Sequence, residues 1–366
     1  MTSHEIQEWR KISANYSDTL LIGNGASIAV NKSFNYGSLF KYAKDPINNL
    51  MSPEVEKLFK SFKTEDFELA LRLVWQASEV NSHLGIKDKD NRAHDAYFLV
   101  RDCLIKSVRG IHPGYDEVSQ YLPYIYRFLK KFKTVLSLNY DLILYWAMMY
   151  GNRETQKERE TQKEAEKKSE NKCPAFIDCF DRKGSSNRRE LGFSDNLQQF
   201  REIYDKSTSV FYPHGNLIFR RNIMGSESKI HAKGTKGLLK VILESWESEE
   251  FFPLFVSEGT KPQKITSIKN SYYLSTVYRE VLTDLTPSLV IYGWGFGEQD
   301  MYILERMSNS GIKRVAVSGH GKDDKFAYRD EVSKKIRDAL EKPDKDPIDI
   351  DFFDSESYGC WNNPLD

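Results

Sequence analysis

Leu20-Leu21-Ile22-Gly23-Asn24-Gly25-Ala26-Ser27 is a short apolar strand that runs into a glycine-rich turn and then into a helix. A strand followed at once by such a turn and a helix is the opening unit of a parallel sheet covered by helices. Glycines at this place let backbone N–H groups approach a pyrophosphate, the helix N-terminus favours negative charge, and Ser27 adds a hydroxyl donor. A plain tight strand–helix turn needs the same glycines, so the motif alone leaves both readings open.

Outward from this stretch, apolar β-branched runs at 19–22, 134–138, 209–212, 254–257, 288–292, 314–318 and 348–353 predict further strands. Most stop at Gly, Asn or Ser and lead into a helical pattern, so the expected fold class is α/β, with a parallel sheet flanked by helices. Between the first two strands the pattern is mostly helical. Residues 64–80, with Thr64 as N-cap, 92–108 and 117–132 carry apolar residues at helical spacing. We expect 32–132 to form a smaller helical subdomain over one rim of the sheet. Residues 151–172 are a charged insertion. Within it, 153–172 holds two copies of ETQKE, seven cations, six anions and no large apolar residue, which predicts a solvated helix extension or a mobile segment.

The 366 residues carry 53 Lys+Arg against 53 Asp+Glu, which removes the electrostatic argument for nucleic acid as principal ligand. The sum is blind to a local basic patch. Hydrophobic residues at 40% suffice for a sizeable core. Cys103, Cys173, Cys179 and Cys360 form no C-x-x-C pair, so no zinc ribbon and no metal site is expected. The first residues lack a basic stretch followed by an apolar core, and no apolar run reaches the roughly 18 residues of a membrane span. These features predict a cytoplasmic protein.

Four more strand ends carry polar or glycine-rich chemistry. Leu138-Asn139-Tyr140-Asp141 puts a carboxamide and a carboxylate at the edge of the sheet where ligands bind, although Asp141 is also a natural cap for the helix that follows. Tyr212-Pro213-His214-Gly215 aims an imidazole from a rigid turn, and of seven histidines this is the one singled out. His4, His83, His94, His112, His231 and His320 have no partner legible in the sequence. Ser257-Glu258-Gly259 closes another run. Gly293-Trp294-Gly295-Phe296-Gly297 has three glycines in five residues, enough to cradle the second half of a dinucleotide or to cap a strand.

The order of these motifs, GNGAS, LNYD, PHG, SEG and GWG, resembles that of the sirtuin fold: pyrophosphate loop, Asn-x-Asp, His-Gly and two further turns. It is most similar to the zinc-free bacterial sirtuin-like proteins, many of which hydrolyse NAD in anti-phage defence. Asp66-Phe67-Glu68, 139–146 and 293–304 are also reminiscent of that branch. The sequence departs from the sirtuin deacylases in two respects. Residues 219–250 contain no cysteine where those enzymes carry a zinc module, and Leu138 stands where a glutamine is common.

The resemblance implies one sirtuin-like NAD-binding domain over 1–366, of Rossmann-like type, that cleaves NAD to nicotinamide and ADP-ribose. It implies that Asn139 holds the nicotinamide ribose and a water, that His214 contacts the ribose hydroxyls and relays a proton, and that Asp141 binds the carboxamide or holds its loop. By the same carry-over Gly23, Asn24, Gly25, Ala26 and Ser27 meet the pyrophosphate, Ser257 belongs to the dinucleotide site, and Gly293, Trp294 and Gly295 lie along the adenosine half. NAD is then substrate, with no metal. Expected partners are further copies of the chain, an ATPase or a phage-derived activator, with no membrane and no direct nucleic-acid contact. Alternatives are an NAD or ADP-ribose sensor without turnover, and an ADP-ribosyltransferase.

Overall fold

The computed structural model describes residues 5–365 except 36–37, 87–90, 166–172, 182–190, 195, 223, 231–236, 248–250, 257–258, 320–325 and 344–345. Among the described residues, eight strands form one sheet in which every pairing is parallel. Their spatial order is Ile6–Gln7, Asp349–Asp354, Arg314–Gly319, Ser288–Tyr292, Thr19–Ile22, Thr134–Ser137, Thr208–Phe211 and Phe176–Ile177. Thr19–Ile22, Thr208–Phe211 and Ser288–Tyr292 are buried at every residue, as expected of strands covered by helices on both faces. The chain runs from Thr19–Ile22 to one side of the sheet and later returns to the other side through Ser288–Tyr292. The order therefore reverses at Thr19–Ile22, the place where open α/β sheets leave a crevice.

The run expected at 254–257 is a strand at Phe251–Phe255, but it does not join the parallel sheet. It pairs antiparallel with Gly215–Asn222 in a second sheet that continues through Glu227–Lys229, Leu191–Phe193 and Phe180–Asp181. The end of this pairing lies at the histidine turn: the Val256 N–H donates to the His214 carbonyl at 2.7 Å, beside the Phe255–Gly215 pair.

The stretch between the first two central strands is helical, with Leu39–Lys44, Pro53–Phe62, Phe67–His83 and Arg92–Ile111. Asp66, not Thr64, caps Phe67–His83, its carboxylate accepting from the Glu68 N–H at 2.9 Å. Thr64 instead braces the cap, accepting from the Asp66 N–H at 3.1 Å. The helix expected at 117–132 is shorter and broken: Tyr115–Val118, a single 3₁₀ turn at Ser119–Tyr121, then Leu122–Leu129 with a proline in its first turn. The helix after Asp141, Ile143–Ala165, continues from its apolar start into the charged insertion; 166–172 lie outside the described residues.

One continuous apolar cluster joins the helical stretch to the central sheet. Phe128 lies at a junction of it, with ring centroids 5.6 Å from Trp9 and 5.3 Å from Phe132. From the same cluster, Trp361 Nε1 donates to the Ala26 carbonyl at 2.8 Å and pins the helix that follows the first glycine turn.

Candidate active site

The two glycine turns close on each other. The Gly23 N–H donates to Tyr292 O at 2.9 Å, Gly25 N–H to Gly293 O at 2.7 Å and Ala26 N–H to Gly23 O at 3.0 Å. A Cβ added at Gly25 would stand 2.8 Å from Gly293 Cα, and Gly293 itself has φ +67. The glycines are thus accounted for by backbone packing against backbone. The N–H groups of Gly23, Gly25 and Ala26, expected at a pyrophosphate, are bonded within the chain in this structure.

Ser27 is likewise turned inward and is 1% exposed. Its hydroxyl donates to Asp141 Oδ2 at 2.5 Å and accepts from Asn139 Nδ2 at 2.9 Å. The second Asn139 amide hydrogen goes to Gly23 O at 3.0 Å. Both donors of Asn139 are therefore engaged, and Oδ1 is the acceptor it offers to the cavity it lines. Asp141 Oδ1 accepts from the Ile143 N–H at 2.8 Å and so caps the long helix. Burial holds the Asp141 carboxyl above the usual carboxylate range, against its hydrogen bonds from Ser27 and Ile143. Of the two roles expected for Asp141, holding the loop is the one these contacts perform.

His214 sits in the predicted turn, closed by the Gly215 N–H donating to Tyr212 O at 2.9 Å, with Gly215 at φ +76. Its Nε2 lies 2.7 Å from the Tyr302 hydroxyl and 3.7 Å from Asp300 Oδ1, and the ring also bonds the Leu138 backbone. Burial lowers the His214 pKa to about 4; Asp300 pulls it upward and Lys264, 2.8 Å from Asp300, pushes it down again. The ring is therefore neutral at neutral pH. Burial keeps the Tyr302 phenol protonated, so Tyr302 donates to Nε2.

A cavity of about 870 Å³ opens at the carboxyl ends of Thr19–Ile22, Thr134–Ser137 and Ser288–Tyr292, under Leu39–Lys44 and Pro53–Phe62. Of the residues anticipated from sequence, Gly23, Asn24, Asn139, Asp141, His214 and Trp294 line it. Gly25, Ala26, Ser27, Gly293 and Gly295 do not, and Ser257 lies outside the described residues. Trp294 stacks on Phe296 at 4.7 Å, and Tyr140 on Phe255 at 5.1 Å.

A family model described as "Domain of unknown function (DUF4917)" matches residues 20–361. The chain belongs to this family. No curated protein matches it. The matched span includes both glycine turns, Asn139, His214 and the whole lining of the cavity.

Sequence reasoning missed three members of the site. Tyr302 and Asp300 reach His214 from a distant segment. His112 is buried and accepts from the Leu142 N–H at 3.0 Å through Nε2, which fixes the start of the helix just past Asp141. Its Nδ1 lies 2.9 Å from Pro113 O, and burial lowers its pKa to about 4. The Pro113-Gly114 pair that follows it was an available signal, although His214 lies between its proline and glycine and His112 precedes both. Among the described residues no group of three or more His, Cys, Asp or Glu side chains is arranged to hold a metal ion. No described helix is long and apolar enough to cross a membrane.

Proposed function

We propose that this chain is a sirtuin-like NAD⁺ glycohydrolase that releases nicotinamide and ADP-ribose, with Asn139 and His214 at the reacting ribose. The observation that carries the reading is that these two side chains line one cavity at the reversal of strand order. The bond to nicotinamide breaks through an oxocarbenium-like state, and the departing ring is already cationic, so no strong general acid is required. What the site must supply is a placed water and an acceptor for its proton. Asn139 Oδ1 accepts a hydrogen bond from that water while Ser27 and Gly23 fix its amide. Water adds to C1′, nicotinamide leaves with the bonding pair, and the released proton is taken up on the His214 side. Asp300, 3.7 Å from Nε2, favours the imidazolium that results. Depletion of cytoplasmic NAD in anti-phage defence, switched by oligomerisation, a partner ATPase or a phage protein, is the role that the resemblance adds.

One observation favours a second reading, a module that binds the dinucleotide without cleaving it: both ring nitrogens of His214 are already bonded inside the protein. Incubation with a fluorogenic etheno-NAD analogue separates the two. Fluorescence that develops with wild type and is lost in Asn139→Ala supports hydrolysis. Tight binding with no turnover, with or without candidate activators, supports the sensor, and label transferred to a macromolecule points to a transferase.

A further inference from the structure

The first glycine turn has its N–H groups at 23, 25 and 26 bonded within the chain, so these three are not offered to a phosphorylated ligand, and such a ligand needs cations elsewhere in the cavity. The lining supplies it. Lys41, Lys44, Lys60, Lys63 and Lys264 stand there against only Glu65, Asp141 and Asp300, in a chain whose cations and anions are equal in number. Lys264 is neutralised by Asp300 at 2.8 Å. Lys44 and Lys60 share one carboxylate, that of Glu56, at 2.8 and 3.1 Å. Among the described residues, Lys41 and Lys63 have no carboxylate within ion-pair distance.

Four of these five cations come from one wall, and Lys264 lies on the segment opposite. Lys41 and Lys44 are on Leu39–Lys44, Lys60 is on Pro53–Phe62, and Lys63 follows it as the helix cap with φ +50. The Lys63 carbonyl accepts from Gln263 Nε2 at 2.9 Å, which ties this wall to the segment opposite. Facing it are Trp294, backed by the stacked ring of Phe296, and the neutral acceptor of Asn139. The cavity is thus cationic on the helical side and polar or aromatic on the sheet side.

We infer that the phosphates of the ligand are held by the lysine wall, with Lys41 and Lys63 as principal contacts, and not by the glycine turn. The ligand class is a small diphosphate ester, whose two or more negative charges match two uncompensated ammonium groups. The inference deepens the dinucleotide reading and rests on it for the identity of the ester, but the anion site itself is tested separately.

The test is calorimetric titration of the full chain with inorganic pyrophosphate, across a salt series. Wild type should bind it, more weakly as salt rises. Lys41→Gln with Lys63→Gln should bind roughly tenfold more weakly or worse, as expected for loss of charge-assisted hydrogen bonds, while Lys41→Arg with Lys63→Arg retains binding. Both positions are exposed side chains, and equal melting temperatures confirm that the variants fold. Wild type that binds no pyrophosphate, or a glutamine pair that binds as well as wild type, overturns the inference. Pyrophosphate binding that depends on the lysines, in a protein that never cleaves NAD, overturns the glycohydrolase reading and leaves the anion site standing.

Discussion

His214 Nε2 lies 2.7 Å from the hydroxyl of Tyr302, a residue 88 positions further along the chain. Because the phenol donates, it stabilises the neutral imidazole, and burial of the pair keeps both groups uncharged. Tyr302→Phe removes the donor and leaves a buried acceptor unmatched, at a cost of about 1–3 kcal/mol. Burial still favours the neutral ring, but without the phenol's hydrogen bond the His214 pKa should rise from its depressed value of about 4. Histidine-selective NMR titration of wild type and variant reads this directly; an unmoved pKa would show that Tyr302 does not control the ring.

Ser27 links Asn139 to Asp141. Ser27→Ala should leave NAD affinity nearly intact and lower kcat by roughly ten- to a hundredfold, because the Asn139 carboxamide loses one of the two acceptors that fix it. Steady-state kinetics on etheno-NAD separates the terms. A rise in KM at constant kcat would place Ser27 among the binding groups instead.

His112 makes a pH prediction with a definite sign. Its pKa is about 4 in the fold against 6.5 ordinarily, so below pH 6.5 the unfolded chain takes up a proton that the folded one refuses. The stability that depends on neutral His112 is complete above pH 6.5 and is lost as pH falls toward 4, about 3 kcal/mol in all. His112→Gln keeps an acceptor for the Leu142 N–H but has no titrating ring. Urea denaturation between pH 4.5 and 7.5 should therefore show a shallower pH dependence in the variant. Asp141, raised by burial, titrates in the opposite sense in both proteins and cancels from the comparison. Parallel curves would refute the assignment.

Gly293 and Gly295 lie two positions apart and should respond differently to alanine. At Gly293 φ is +67 and the new Cβ meets the Gly25 backbone at 2.8 Å, so Gly293→Ala should cost more than about 2 kcal/mol. Gly295 is exposed, with nothing within 4 Å of an added Cβ, and Gly295→Ala should stay within about 0.5 kcal/mol of wild type. Thermal melts of both proteins check the pair; similar melting temperatures would mean the two turns are not in the contact described.

Much of the parallel sheet was legible because Thr19–Ile22 and Ser288–Tyr292 are short, hydrophobic after their first residue and stopped by glycine, so a local pattern marks both type and ends. The antiparallel sheet was not. Phe180–Asp181, Leu191–Phe193 and Glu227–Lys229 are two or three residues long, too short for any periodicity. The strand at Phe251–Phe255 was visible, but a run of apolar residues does not say which strand it will pair with. At the site, Asn139 and His214 sit on turns with their own local signature. Tyr302 and Asp300 carry none, since what places them beside His214 is tertiary packing. The glycine turn was ambiguous for a physical reason: close approach of phosphate and close approach of backbone ask for the same residue.

The most direct measurement is chromatographic quantification of nicotinamide and ADP-ribose released from NAD by the full chain, by Asn139→Ala and by His214→Ala, each checked for a native melting profile. The account predicts equimolar products from wild type and at least a hundredfold loss in either variant. Equal product release by wild type and Asn139→Ala, or no release by wild type with any candidate activator, would contradict it.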